Sequence, residues 1–89
     1  MSTSELIGCV YRKDYLGLDK LVMSGNINEV DDDGRSPLIH AVLAGDANEE
    51  MVKYLLAKGA DPSLQDKGQK WTPLHFAARD QKLSIEKFF

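Results

Sequence analysis

The chain has 89 residues and a mass of 9.9 kDa, is 43% hydrophobic and 28% charged, and carries a formal net charge of −3. That size allows one domain, which buries only about 60–65% of its unfolded surface. The single cysteine excludes a disulfide-rich secreted scaffold and fits a reducing, cytoplasmic setting; no apolar run reaches the ~18 residues of a membrane span, and a negative net charge opposes a dedicated nucleic-acid binder.

Helices are expected near 3–12, 15–24, 37–44, 48–58, 74–81 and 84–89, with hairpin-like turns projecting at 26–36 and 61–72. The stretch from Met1 to Val10 has no basic flank and is not read as a signal peptide. In the first two helices Leu6, Cys9, Val10, Leu18, Leu21 and Val22 are placed in the core, and Cys9 is read as a core filler. The turn Asp31-Asp32-Asp33-Gly34-Arg35 superficially suggests a calcium loop. The twelfth position, where such a loop needs a glutamate, is Val42, so a turn leading to a helix cap is the better reading.

Ser36 then supplies an N-cap hydroxyl and Pro37 the first helical position, where its missing N–H costs nothing. The next helix carries Met51, Val52, Leu55 and Leu56 as an apolar stripe. Gly59 ends it in the left-handed conformation, and Pro62 prevents continuation. After the turn-rich stretch Asp66–Trp71, Thr72 and Pro73 repeat the cap and first-position pair, 36 residues after Ser36 and Pro37.

Self-similarity is the main signal. Ser36-Pro37-Leu38-Ile39-His40-Ala41-Val42 aligns with Thr72-Pro73-Leu74-His75-Phe76-Ala77-Ala78, and the first is followed by Leu55-Leu56-Ala57-Lys58-Gly59-Ala60-Asp61. With these strings the chain resembles an ankyrin-repeat protein of about two and a half repeats: 1–30 a degenerate N-terminal repeat, 31–66 a complete one, 67–89 a truncated one. The resemblance implies an all-α solenoid of stacked antiparallel helix pairs with projecting turns. The family period is 33, so three residues are extra. Two are placed near Asp46-Ala47-Asn48 and one in the turn Asp66–Trp71. The last unit stops inside its second helix, which would leave Ile85, Phe88 and Phe89 without a neighbour. A fragment of a longer array, or an end covered by further repeats or another chain, is expected from that.

The resemblance further implies a non-enzymatic module that binds a folded protein partner through its hairpin tips and the concave face of its first helices. The matching positions are Asp32, Asp33, Arg35, His40, Leu43, Asp46, Lys67, Gln69, Trp71, Phe76, Arg79 and Asp80. His40 should point toward the concave face. Phe76 should be a partly exposed aromatic beside Arg79. Trp71 either packs against the lengthened turn or anchors a partner, since tryptophan is enriched in binding hot spots. His75 should tie the capping Thr72 to backbone. A stoichiometric inhibitor, including an immunity-type protein, is one use of such a module. An array that targets or regulates an attached enzyme within a larger protein is the other.

Two histidines and one cysteine assemble no nucleophile, base and electrostatic stabiliser, so no catalytic residue, small-molecule substrate, cofactor or metal site is expected. Lys67 to Lys70 beside Trp71 is too short a footprint for nucleic acid. The charge is uneven. Residues 1–34 hold seven acidic and three basic residues, whereas residues 67–89 hold two acidic and five basic ones. Either scatter or a partner with a matching gradient accounts for that.

Overall fold

The computed structural model describes residues 2–44 and 48–89. Among the described residues six helices follow one another: α1 (Ser2–Arg12), α2 (Tyr15–Ser24), α3 (Pro37–Leu43), α4 (Glu49–Ala57), α5 (Pro73–Arg79) and α6 (Leu83–Glu86). The described residues are all helix, turn and loop, as the all-α expectation required. α1 packs on α2 and α3, α3 on α4 and α5, and α6 on α4 and α5. The first helices of the pairs (α1, α3, α5) thus form one layer and the second helices (α2, α4, α6) the other.

Capping chemistry sets the helix starts. The Ser36 hydroxyl accepts from the Ile39 N–H at 3.2 Å and Asp14 accepts from the Gly17 N–H at 3.0 Å. At Thr72 the box is reciprocal: Thr72 Oγ1 accepts from the His75 N–H, and His75 Nδ1 accepts from the Thr72 N–H at 3.0 Å. His75 therefore does the structural task assigned to it.

Three helices stop by one device, the paired bonds of a Schellman motif closed by a residue in the left-handed region. Asp14 N bonds Cys9 O and Lys13 N bonds Val10 O; Ala60 N bonds Leu55 O and Gly59 N bonds Leu56 O; Lys82 N bonds Ala77 O and Gln81 N bonds Ala78 O. The closing residues have φ of +57° at Lys13, +97° at Gly59 and +56° at Gln81.

The core lies between the two layers. Val10, Leu18, Ile39, Val42, Met51, Val52, Leu55 and Ile85 are fully buried there, and Cys9 fills a core position as expected. α2 approaches α1 so closely that a Cβ on Gly17 would lie 3.0 Å from Cys9 Sγ. Lys82 crosses from the α5–α6 loop to α3, where its ammonium donates to the Val42 carbonyl and, at 2.6 Å, to that of Ala44. A cation thus meets the negative end of the α3 dipole.

The C-terminal end departs from expectation. α6 closes at Glu86, and i→i+3 bonds from Phe88 N to Ile85 O and from Phe89 N to Glu86 O tighten the chain beyond it. That turn packs Phe88 and Phe89 partly against the core, and Ile85 is fully buried, so none of the three lacks a neighbour. Among the described residues no helix is long and apolar enough to cross a membrane.

Candidate interaction surface

Each projecting turn is organised by an aspartate that closes its base. In the first, Asp31 N bonds Arg35 O at 3.1 Å while Asp31 Oδ1 accepts from the Arg35 and Asp33 N–H groups at 2.9 and 3.0 Å. In the second, Asp66 N bonds Trp71 O at 3.0 Å and Asp66 Oδ1 accepts from the Trp71 N–H at 2.8 Å. The second closure spans one residue more than the first, which locates one of the three extra residues. The other two are expected near Asp46-Ala47-Asn48, of which Asp46 and Ala47 lie outside the described residues.

The two turns lean on each other. Lys67 N donates to Asp33 O at 2.9 Å. Gly34, with φ of +76°, faces Lys67 so closely that a Cβ would meet its Cγ at 2.7 Å and its backbone N at 2.9 Å. A glycine is required there twice over, by conformation and by space. Nearer the helices, Asn28 after α2 accepts from Asp61 N after α4 at 2.7 Å and joins the same two stretches again.

Below the turns, the open face of the first-helix layer carries two adjoining clusters. In one, Asp31 Oδ2 lies 2.7 Å from His40 Nε2, and His40 Nδ1 lies 2.9 Å from the Tyr11 hydroxyl. With Nε2–H donating to the carboxylate, Nδ1 accepts the phenolic proton, and α1, α3 and the first turn are joined through one imidazole. Burial pushes the Asp31 carboxyl up, but hydrogen bonds from His40 and from the Arg35 and Asp33 backbone together hold it below the usual carboxylate range. Burial raises the Tyr11 hydroxyl, Arg35 opposes that, and the Asp31 charge adds to it.

The second cluster surrounds Phe76. Trp71 meets it edge-on at 5.3 Å between centroids, and the guanidinium carbons of Arg35 and Arg79 sit 5.6 and 5.3 Å from its centroid. Arg79 also lies 5.7 Å from the Trp71 ring, which stacks with His75 at 6.1 Å. Arg79 is fixed by Asp80, with Nε–Oδ1 at 2.8 Å and Nη2–Oδ2 at 3.1 Å, and this hydrogen-bonded pairing lowers the Asp80 carboxyl pKa and raises that of the guanidinium.

The structure therefore distributes the expected positions as follows. Asp32 and Asp33 are exposed at the first tip, Lys67 and Gln69 at the second, and Arg79 and Asp80 at the end of α5. Arg35 and His40 are half-buried below the tips. Leu43 is half-buried against the core. Asp46 lies outside the described residues. Phe76 requires correction: it is 1% exposed and forms the floor beneath Trp71, Arg35 and Arg79. These three side chains, from the two turns and α5, close over its ring. Trp71 is half-buried, with its ring on Phe76, His75 and Arg79 rather than on the lengthened turn.

Tyr11 was missed, although it is half exposed and contacts His40. The first unit contains no string matching Ser36–Val42, so its register against α3 could not be read. The opposite face offers less. There Tyr15 and Tyr54 meet edge-on at 5.1 Å and line a shallow groove of about 450 Å³ with Glu50, Lys53 and Ala57.

A sequence profile described as ankyrin repeats in three copies matches residues 6–89. The E3 ubiquitin-protein ligase Ufd4 of Drosophila melanogaster is 42% identical over 85 residues, which cover 93% of this chain and 3% of Ufd4. A crystal structure of an ankyrin repeat protein superimposes with a TM-score of 0.81 and 26% identity, covering 92% of this chain and 43% of that one. A chain in the structure of a predatory endopeptidase from Bdellovibrio bacteriovorus in complex with an immunity protein gives a TM-score of 0.79 at 26% identity, covering 99% of this chain and 45% of that one. The chain thus spans less than half of each of these proteins.

Proposed function

From the premise that the chain belongs to the ankyrin-repeat family, whose members are protein-interaction modules, we propose that it binds a folded protein partner through its two turn tips and the face of α1, α3 and α5. One observation carries this reading. Tyr11, Trp71, Arg35 and Arg79, the residue types most enriched in binding hot spots, sit on that face already held by neighbours within the fold. Side chains ordered before encounter lose little rotamer freedom on binding, so more of the contact energy becomes affinity. The division into units 1–30, 31–66 and 67–89, the non-enzymatic character and the cytoplasmic setting belong to the same proposal.

Within it, the chain acts as a stoichiometric inhibitor that covers a working surface of its partner. The likeness to a chain of the endopeptidase–immunity protein complex supports this use. A second reading is that the repeats form one part of a larger protein and target or regulate an enzyme attached to them. The likeness to Ufd4, of which the matched region is 3%, supports that alternative. Titrating the purified partner with the chain separates the two. Inhibition expects loss of partner activity that is complete at equimolar ratio. Targeting expects binding at the same ratio with activity retained.

A further inference from the structure

We propose that the guanidinium of Arg35 is the docking point for a single carboxylate side chain, Asp or Glu, on the protein partner. This rests on the protein-binding reading above and names the chemistry of the partner at that face.

The argument is one of commitments. The Asp31 carboxylate is taken by His40 and two backbone N–H groups, that of Asp66 by Trp71 N, and that of Asp80 by Arg79. Arg35 has none: among the described residues its guanidinium forms no hydrogen bond and no ion pair, and its Nε is shut off from solvent without an acceptor. The guanidinium as a whole is only half-buried, with its outer Nη groups the accessible end. A carboxylate arriving end-on would take an N–H from each Nη together, a bidentate geometry of the kind that makes Arg–carboxylate pairs strong.

The site is also prearranged. Arg35 is anchored at its backbone by both closing bonds to Asp31, and its guanidinium is backed by the buried ring of Phe76. The recess that Arg35 lines between the turns is bordered by Asp32 and Asp33 and by a second cation, Lys67. The two cations offset the two acidic side chains enough to admit a single negative charge, while the acidic pair opposes a phosphate dianion or a run of acidic residues more strongly.

The test uses the whole chain and a random peptide library displayed on phage. Selected peptides are mapped by NMR, following the Arg35 Nε–Hε signal and the indole N–H of Trp71, and their affinities are measured for the wild type, Arg35→Leu and Arg35→Lys. Both variants are first checked for an unchanged fold by their amide spectra. The proposal expects peptides that shift both signals to carry Asp or Glu, and Arg35→Leu to weaken them about tenfold or more, with Arg35→Lys recovering only part. Replacing the peptide carboxylate by its amide should cause the same loss in the wild type and little further loss in Arg35→Leu. Peptides that bind this face without an acidic residue, or are indifferent to Arg35→Leu, would overturn the carboxylate proposal and leave the binding face standing. Inorganic phosphate that saturates the Arg35 signal and displaces the peptides would overturn it in favour of a dianion. Peptides that all map to the face of α2 and α4 would overturn both readings.

Discussion

His40 Nε2 lies 2.7 Å from Asp31 Oδ2, and this bond ties the first projecting turn to the helix it precedes. The same imidazole accepts the Tyr11 hydroxyl proton, so the turn is coupled to α1 as well. Replacing His40 by alanine removes both contacts and leaves a part-buried carboxylate with backbone donors only. A loss of about 1–2 kcal/mol is expected, read as a lower midpoint in urea with an unchanged slope. No loss would mean that the turn is held by its backbone bonds alone.

The pH dependence follows from the same carboxylate. Asp31 has a folded pKa below its unfolded value, so its contribution to stability is present above the ordinary aspartate range, about pH 4, and is lost as pH falls through the folded value. Asp31→Asn should lower stability at neutral pH and flatten the decline in acid. Urea midpoints for wild type and variant, measured from neutral pH downward, should converge. Parallel curves would contradict this.

Two glycines separate conformation from crowding. Gly34 and Gly59 both have positive φ, but a Cβ on Gly34 would strike Lys67 while one on Gly59 meets nothing within 4 Å. Gly59→Ala should cost about 1 kcal/mol, from the left-handed conformation alone. Gly34→Ala should cost more, about 2–3 kcal/mol, because the two turns must part. Equal costs in denaturant titrations would show that the turns yield freely.

Gln81 closes a Schellman motif at φ of +56°, a position usually given to glycine. Gln81→Gly should stabilise the protein by about 0.5 kcal/mol, a rise of roughly 2–4 °C in Tm by calorimetry. A fall in Tm would show that the Gln81 side chain has a task of its own.

Lys82→Met keeps the stem of the side chain and removes the ammonium from the carbonyls of Val42 and Ala44. A loss of about 1–2 kcal/mol is expected, little changed by salt because the contact is part-buried. A loss that vanishes in high salt would place the ammonium in solvent instead.

Most of the fold was legible because its signals are local. Ser36-Pro37 and Thr72-Pro73 mark the starts of α3 and α5 by capping chemistry, and Gly59 marks the end of α4, each within a few residues of chain. What was not legible depends on distant segments. Phe76 is covered by its sequence neighbours Trp71 and Arg79 together with Arg35 from the other turn, and no local pattern reports the arrival of Arg35. The Tyr11–His40–Asp31 chain joins residues 29 and 9 positions apart, one of them in a unit without the repeated string. The early close of α6 follows from tight turns that bring Phe88 and Phe89 back to the core, where an apolar helical stripe was the simpler expectation.

The most direct test of the account compares two paired substitutions in affinity capture from lysate of the source cells. Tyr11→Ala with Trp71→Ala strips the face of α1, α3 and α5. Leu16→Ala with Met23→Ala strips exposed apolar side chains of α2. Both variants are confirmed folded by circular dichroism. The account predicts a protein retained by the wild type and by the α2 variant and lost from the Tyr11/Trp71 variant. Retention by the Tyr11/Trp71 variant, with loss from the α2 variant, would contradict it and move binding to the opposite face.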